Sequence, residues 1–225
     1  VQYVIKEESR VDGPFHKGLP NDDLDAFITK ISKSKKTNNN DQLDAIKELI
    51  DQGKTSKEIA DANFSQWVRH HRAFEQYRLL KTTPRSCINE VVVIFGPTGT
   101  GKSHYCLDKY PNSYWKTRGQ WWDGYSNHDS IIIDEFYGWM PWDMLLRLCD
   151  KYPLLLETKG GTVQFIGTRI VFTTNKHPSQ WYTETNGLRF ATFSRRVTEW
   201  VVAKEMNNWL HLSTYDEFRT RTEEN

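Results

Sequence analysis

An α/β fold with a largely parallel sheet is predicted for residues 84–210 by three runs of the same design. Val91–Phe95, Ile131–Ile133 and Arg169–Thr174 are rich in β-branched and aromatic residues, and each runs straight into residues suited to phosphate chemistry. Apolar runs of this kind mark strands covered on both faces, and parallel sheets collect ligands at the carboxyl ends of their strands. Ahead of them, residues 41–83 show helical spacing only, so a small all-helical segment is expected to precede the α/β domain.

The first run leads into Gly96-x-x-x-x-Gly101-Lys102-Ser103, which fits G-x-x-x-x-G-K-[ST] without a mismatch. A chain with little side-chain bulk can wrap a polyphosphate with its own N–H groups, which accounts for Gly96, Gly99 and Gly101. Pro97, Thr98 and Thr100 complete the loop, and His104 lies in the helix expected from about Lys102 to Asp108. That helix aims its positive end at the phosphates. Lys102 is expected to reach the β/γ oxygens and Ser103 to ligate Mg²⁺. The loop predicts a nucleotide-phosphate site.

Composition narrows the setting. No apolar run approaches the ~20 residues of a membrane span, and the N-terminus lacks the apolar stretch of a signal peptide. Cys87, Cys106 and Cys149 have neither metal-site spacing nor an even count for pairing. With a formal net charge of +1, any nucleic-acid contact must use a local patch. The chain opens at Val1-Gln2-Tyr3-Val4-Ile5-Lys6 as if inside a strand or helix and reads as a fragment of something longer.

Residues 7–40 are polar, and Ser32–Asn40 reads as a linker that cannot bury enough surface to order itself. A short helical pattern at Leu24, Phe27, Ile28 and Ile31 precedes it. From Asp41, Leu43, Ile46, Leu49 and Ile50 fall at helical spacing up to Gly53, and Thr55-x-x-Glu58 is a capping-box pattern for a second helix. Phe64, Trp67, Val68, His71, Phe74 and Tyr77 stripe a third. Three small helices make too little core to stand alone, so packing on neighbours is expected. His70 and His71 lack a partner at ligand spacing and are read as solvated or packed. The aromatic and basic stretch Tyr114–Tyr125 fits a core edge slightly better than a nucleic-acid channel.

Ile131-Ile132-Ile133-Asp134-Glu135 sets two acids at a strand end. Asp134 is placed to hold Mg²⁺ and Glu135 to polarise an attacking water, which requires a carboxylate within about 3 Å of it. Pro141 starts a helix over Trp142–Tyr152. Two strand-like runs around Gly160-Gly161 then predict a β-hairpin with Lys159 near its tip. Asn175 ends the third buried run, and its amide can bond both a γ-phosphate and a water. Arg195-Arg196 precedes the apolar strand Val197–Val202, and such arginines can serve a neighbouring subunit's phosphates. Residues 211–225 read as a mobile tail.

Together these residues resemble the superfamily-three helicases of small viruses, and more closely the replication-associated proteins of circovirus-like, circular single-stranded DNA viruses. The resemblance rests on Gly96–Ser103, Ile131–Glu135, Glu157–Phe165 and Ile170–Asn175 as four ordered motifs. Trp121–Tyr125, Phe136–Asp143 and Leu146–Pro153 are also similar, and the likeness covers roughly residues 41–202. It implies an AAA+-like P-loop ATPase, with residues 41–83 as an oligomerisation domain and six copies forming a ring. It also implies ATP and Mg²⁺ as cofactors and movement on single-stranded DNA in the ring pore, usually 3′ to 5′, in a host cell nucleus. Lys159 would be the pore lysine, Gly160, Gly161 and Thr162 would bring backbone close to DNA phosphates, and Arg195 or Arg196 would be the finger in the neighbour's site. Tyr3-x-x-Lys6 resembles the end of the preceding endonuclease domain, so residues 1–6 read as its stump, with Tyr3 inert.

Two other functions share much of this pattern. A monomeric P-loop phosphotransferase has the same loop and strands, and an RNA-directed helicase of the same superfamily has the same motifs.

Overall fold

The computed structural model describes residues 29, 40–182, 187–206 and 208–223. The endonuclease stump and the expected linker up to position 39 lie outside these, as does all of the 24–31 helical pattern but position 29; position 40, read as the linker's last residue, is instead helical. The chain divides into two compact units, residues 1–81 and 82–225.

In the first unit, helix α1 covers 40–51, α2 Ser56–Ala62 and α3 Phe64–Lys81. The capping box forms: the Thr55 hydroxyl accepts from the Glu58 N–H at 3.2 Å, and the Glu58 carboxylate accepts from the Thr55 N–H at 2.7 Å. Ile46, Ile50 and Ile59 make the buried core, with Leu49, Trp67, Phe74 and Tyr77 packed around it. His71 lies against Trp67 and His70 against Phe74.

The second unit is built on a six-stranded sheet in the order β2-β3-β6-β1-β7-β8. Its strands are β1 Glu90–Phe95, β2 Tyr114–Trp115, β3 Ser130–Ile133, β6 Arg169–Thr174, β7 Glu199–Glu205 and β8 Asn208–Leu212. All neighbours are parallel except β7 and β8. Successive side chains of a strand face opposite ways, and both faces here are apolar. Val92, Ile94, Ile132, Val171 and Val201 meet Cys106 of α4 (Lys102–Lys109) on one side. Val91, Val93, Ile131, Ile133, Ile170 and Phe172 face the other. There they meet Leu145 and Leu148 of α5 (Trp142–Leu148), Phe193 of α6 (Gly187–Ser194) and Phe218 of α7 (Tyr215–Glu223). Burial on both faces is why these strands are continuous apolar runs.

A separate two-stranded sheet pairs β4 (Leu154–Thr158) with β5 (Gly161–Phe165) antiparallel. Thr158 pairs with Gly161, so the turn is Lys159-Gly160, and Gly160 takes φ +103. Gly161 belongs to the strand, and only Gly160 needs a glycine's backbone freedom.

Residues 208–223 correct the expectation of a mobile tail. They form β8 and α7, because the fully buried Phe218 anchors the helix to the core. A second capping pair reinforces its start: the Glu217 N–H donates to the Thr214 hydroxyl, and the Glu217 carboxylate accepts from the Thr214 N–H. The aromatic stretch 114–125 is core. Tyr114, Trp122 and Tyr125 are buried against one another and Phe165, while Trp121 stays 40% exposed. Cys106 and Cys149 are buried free thiols and Cys87 is an exposed one.

Arg85 organises the base of this unit. Its guanidinium donates to the carbonyls of Arg147 (2.8 Å), Leu148 (3.0 Å), Tyr152 (3.3 Å) and Gly167 (2.9 Å), and lies over the Phe165 ring. It thereby caps the carboxyl end of α5, where a cation is favoured. Burial pulls its pKa down to about 10.

Candidate nucleotide-phosphate site

β1, β6 and β3 are adjacent and parallel, so the segments leaving their carboxyl ends lie side by side. The glycines of the first segment have two different causes. Gly99 and Gly101 sit at φ +86 and +80, in the region that favours glycine. Gly96 is required by crowding instead, since a Cβ there would fall 2.1 Å from the Ala203 carbonyl oxygen of β7. The Thr100 hydroxyl donates to the Pro97 carbonyl at 2.9 Å and pins the loop. Lys102 donates to the carbonyls of Gly96 (2.8 Å) and Pro97 (2.7 Å), so its ammonium is held at the loop mouth. Burial lowers its pKa, against the opposing pull of Asp134 and Glu135.

Asp134 is the hub of the acids. Its Oδ1 accepts from Ser103 Oγ at 2.9 Å and from Thr173 Oγ1 at 2.5 Å. Thr173 Oγ1 in turn accepts from the Glu135 N–H at 3.0 Å, and Glu135 stands at φ +47. A non-glycine residue held there marks strain that the surroundings must hold in place. The bond to Thr173 supplies one restraint and leaves the exposed carboxylate in the cleft. Asn175 Nδ2 donates to Thr98 Oγ1 at 3.3 Å. Thr98, Gly99, Gly101, Lys102, Ser103 and His104 line one wall of the cleft, and Glu135, Tyr137, Thr173, Thr174 and Asn175 line the other.

The donor set suits a hard divalent cation. Ser103 and Asp134 offer two converging oxygens, and no cluster of three or more His, Cys, Asp or Glu fit for a metal occurs among the described residues. Magnesium is commonly held in this way, through one or two protein oxygens with phosphates and water completing its shell.

The remaining candidates lie outside the cleft. Lys159, Gly160, Gly161 and Thr162 are exposed at the hairpin tip. The Lys159 N–H donates to Asp123 Oδ1 at 2.8 Å, and its ammonium stands 3.9 Å from Oδ2 of the same residue. Arg195 and Arg196 follow α6, and neither lines their own chain's cleft. They differ from each other. Arg196 bonds Asp150 at 2.8 Å and the Thr192 carbonyl, and holds the Asp150 carboxyl below its usual range, whereas Arg195 is exposed.

Residues 92–176 match the family model described as RNA helicase. The replication-associated protein of beak and feather disease virus is 44% identical over 133 residues, 59% of this chain and 46% of the viral protein. That of porcine circovirus 2 is 40% identical over 167 residues, 71% of this chain and 52% of the viral protein. That of goose circovirus is 39% identical over 152 residues, 66% and 51% of the two chains. The chain belongs to the circovirus-like replication-associated proteins. It spans about half the length of the curated relatives it matches.

Within this replication-associated chain, the helicase-type match takes in the phosphate loop, both acids, the hairpin and Asn175, and stops before the arginine pair. Thr173 and Tyr137 are cleft residues that sequence reasoning missed. Thr173 is 1% exposed, one of two buried threonines that close an apolar run. Its partners become visible only once Ile133 is known to pair with Phe172, which sets Asp134 beside Thr173.

Proposed function

We propose that this chain is an ATP-driven helicase that moves on single-stranded DNA as a ring of six copies during rolling-circle replication of a small viral genome. The observation that carries this is one cleft fed by three adjacent parallel strands, with both arginines outside it. The loop N–H groups and Lys102 bind the triphosphate, and Asp134 with Ser103 holds the magnesium. When bound, that ion neutralises charge on the β- and γ-phosphates. Glu135 takes the proton of the attacking water, and Asn175 orients the water and the γ-phosphate.

An arginine from the next copy completes the charge stabilisation. Arg195 takes this role in the proposal, because it is exposed while Arg196 is tied to Asp150. The Lys159 hairpins line the pore, where six lysines make a positive channel from subunits that are each nearly neutral. Work in a host nucleus belongs to the same proposal and draws on the family resemblance. No helix among the described residues is long and apolar enough to cross a membrane.

Mixing tests the shared site. Lys102→Ala and Arg195→Ala should each abolish ATP turnover, and a mixture of the two should regain part of it, because some interfaces then pair an intact Lys102 with an intact Arg195. Mixtures that stay inactive, or a rate per chain that is indifferent to dilution, would refute the ring and favour a monomeric phosphotransferase. Lys159→Ala should keep basal turnover and lose its stimulation by single-stranded DNA. The RNA-directed reading draws on the description of the matched family model. Stronger stimulation by single-stranded RNA than by DNA would establish it instead.

A further inference from the structure

The phosphate cleft is about 150 Å³, below the ~300–1,000 Å³ usual for a whole small-molecule ligand. It suits phosphates, and the rest of a nucleotide must leave it somewhere. Strand order fixes the direction. The loop follows β1, while Asp134, Glu135 and Asn175 follow β3 and β6, which both lie on one side of β1. The γ end of a triphosphate therefore points toward β3 and β6. Its α end points the opposite way, toward β7 and β8.

A groove of about 520 Å³ lies on that side, between the first turns of α4 and the β7–β8 turn. It shares Gly101 and His104 with the phosphate cleft, so the two adjoin at the start of α4. Trp209 of β8 lines it and stacks on Tyr105 of α4, with ring centroids 4.6 Å apart and planes 20° apart. Met206 lines it at 68% exposure, and a Cβ on Gly101 would sit 3.9 Å from its Cγ. Asp108, one turn along α4 and 3.4 Å from His104, supplies a carboxylate on the same wall.

We infer that this groove holds the nucleoside half of the nucleotide, with the base against Trp209 and Met206 and the ribose hydroxyls toward Asp108 and His104. An aromatic plane, a flexible thioether and a lone acceptor carboxylate suit a flat ring joined to a sugar. The inference rests on the phosphate-site reading and assigns that site's other half.

The test compares two probes, ATP and inorganic tripolyphosphate, each with Mg²⁺, titrated onto the whole chain by calorimetry. Trp209→Ala should weaken ATP about ten-fold and leave tripolyphosphate unchanged, as loss of one base-stacking ring does elsewhere. Trp209→Phe should restore most of the loss. Met206 is exposed and its truncation spares the core, so Met206→Ala should weaken ATP several-fold with an unchanged melting curve. The inference is overturned if ATP binds both alanine variants as tightly as the native chain, or if both probes weaken together. If the native chain fails to bind tripolyphosphate, or Lys102→Ala binds it as well as the native chain, the phosphate-site reading falls and this inference with it.

Discussion

Glu135→Gln should lower ATP turnover by about 10²–10⁴-fold while leaving nucleotide affinity within a factor of about two, since general-base removal costs that much and the amide keeps the shape. In barrier terms this is roughly 3–5 kcal/mol, at 1.36 kcal/mol per decade. The effect is a test of position as much as of charge. Glu135 stands at φ +47 with its N–H on Thr173 Oγ1, so its carboxylate direction depends on a residue from another strand. Thr173→Val keeps the volume and removes the hydroxyl that serves both Asp134 and Glu135. It should lower the maximal rate about ten-fold with little change in ATP affinity, and Thr173→Ser should restore it. Equal rates in the native and valine chains would remove Thr173 from the mechanism. A fully active Glu135→Gln chain would remove Glu135 as the base.

Arg85→Leu should destabilise the second unit by about 3–5 kcal/mol, since each buried carbonyl left without a donor costs about 1–3 kcal/mol. The melting temperature should fall by about 10 °C at constant protein concentration. The reason lies in the partners. Four carbonyls, from Arg147, Leu148, Tyr152 and Gly167, share one guanidinium, and a leucine would leave them without that donor, those of Leu148 and Gly167 in buried surroundings. Arg85→Lys should recover little, because an ammonium has three donors and no planar fork to span four acceptors. A leucine variant that melts within 2 °C of the native chain would show that the carbonyls find other partners. Since α5 leads into the hairpin strand β4, this variant should also blunt stimulation by single-stranded DNA.

What could be read from the sequence follows from how local each signal is. Lys102 and Ser103 announce themselves through the glycine spacing of the loop after β1, and Asp134, Glu135 and Asn175 through their places where strand-like runs end; the structure gathers those runs into neighbouring strands. The Lys159 hairpin was legible for the same reason, up to the identity of its turn residues. Arg85 was not, because its partners lie more than sixty residues away and are main-chain atoms. In the sequence Gly96 reads as part of the phosphate wrap, but its neighbour Ala203 belongs to a strand whose place beside β1 no local pattern reveals. The segment 211–225 reads as mobile because it is polar; one phenylalanine, Phe218, and a short capping pair suffice to fix its residues up to 223.

The approach of Ala203 to Gly96 gives β7 a mechanical part. The strand begins just after the arginine pair, and its far half presses on the phosphate loop. At about 3.3 Å per residue it is a strut of roughly 20 Å, stiffened by hydrogen-bonded strands on both edges. In a ring, one end would be pulled by the neighbour's nucleotide through Arg195 and the other would bear on the chain's own. Release of phosphate at one site would then be felt as a displacement at the next, and the order of firing around the ring would be written into a single β-strand.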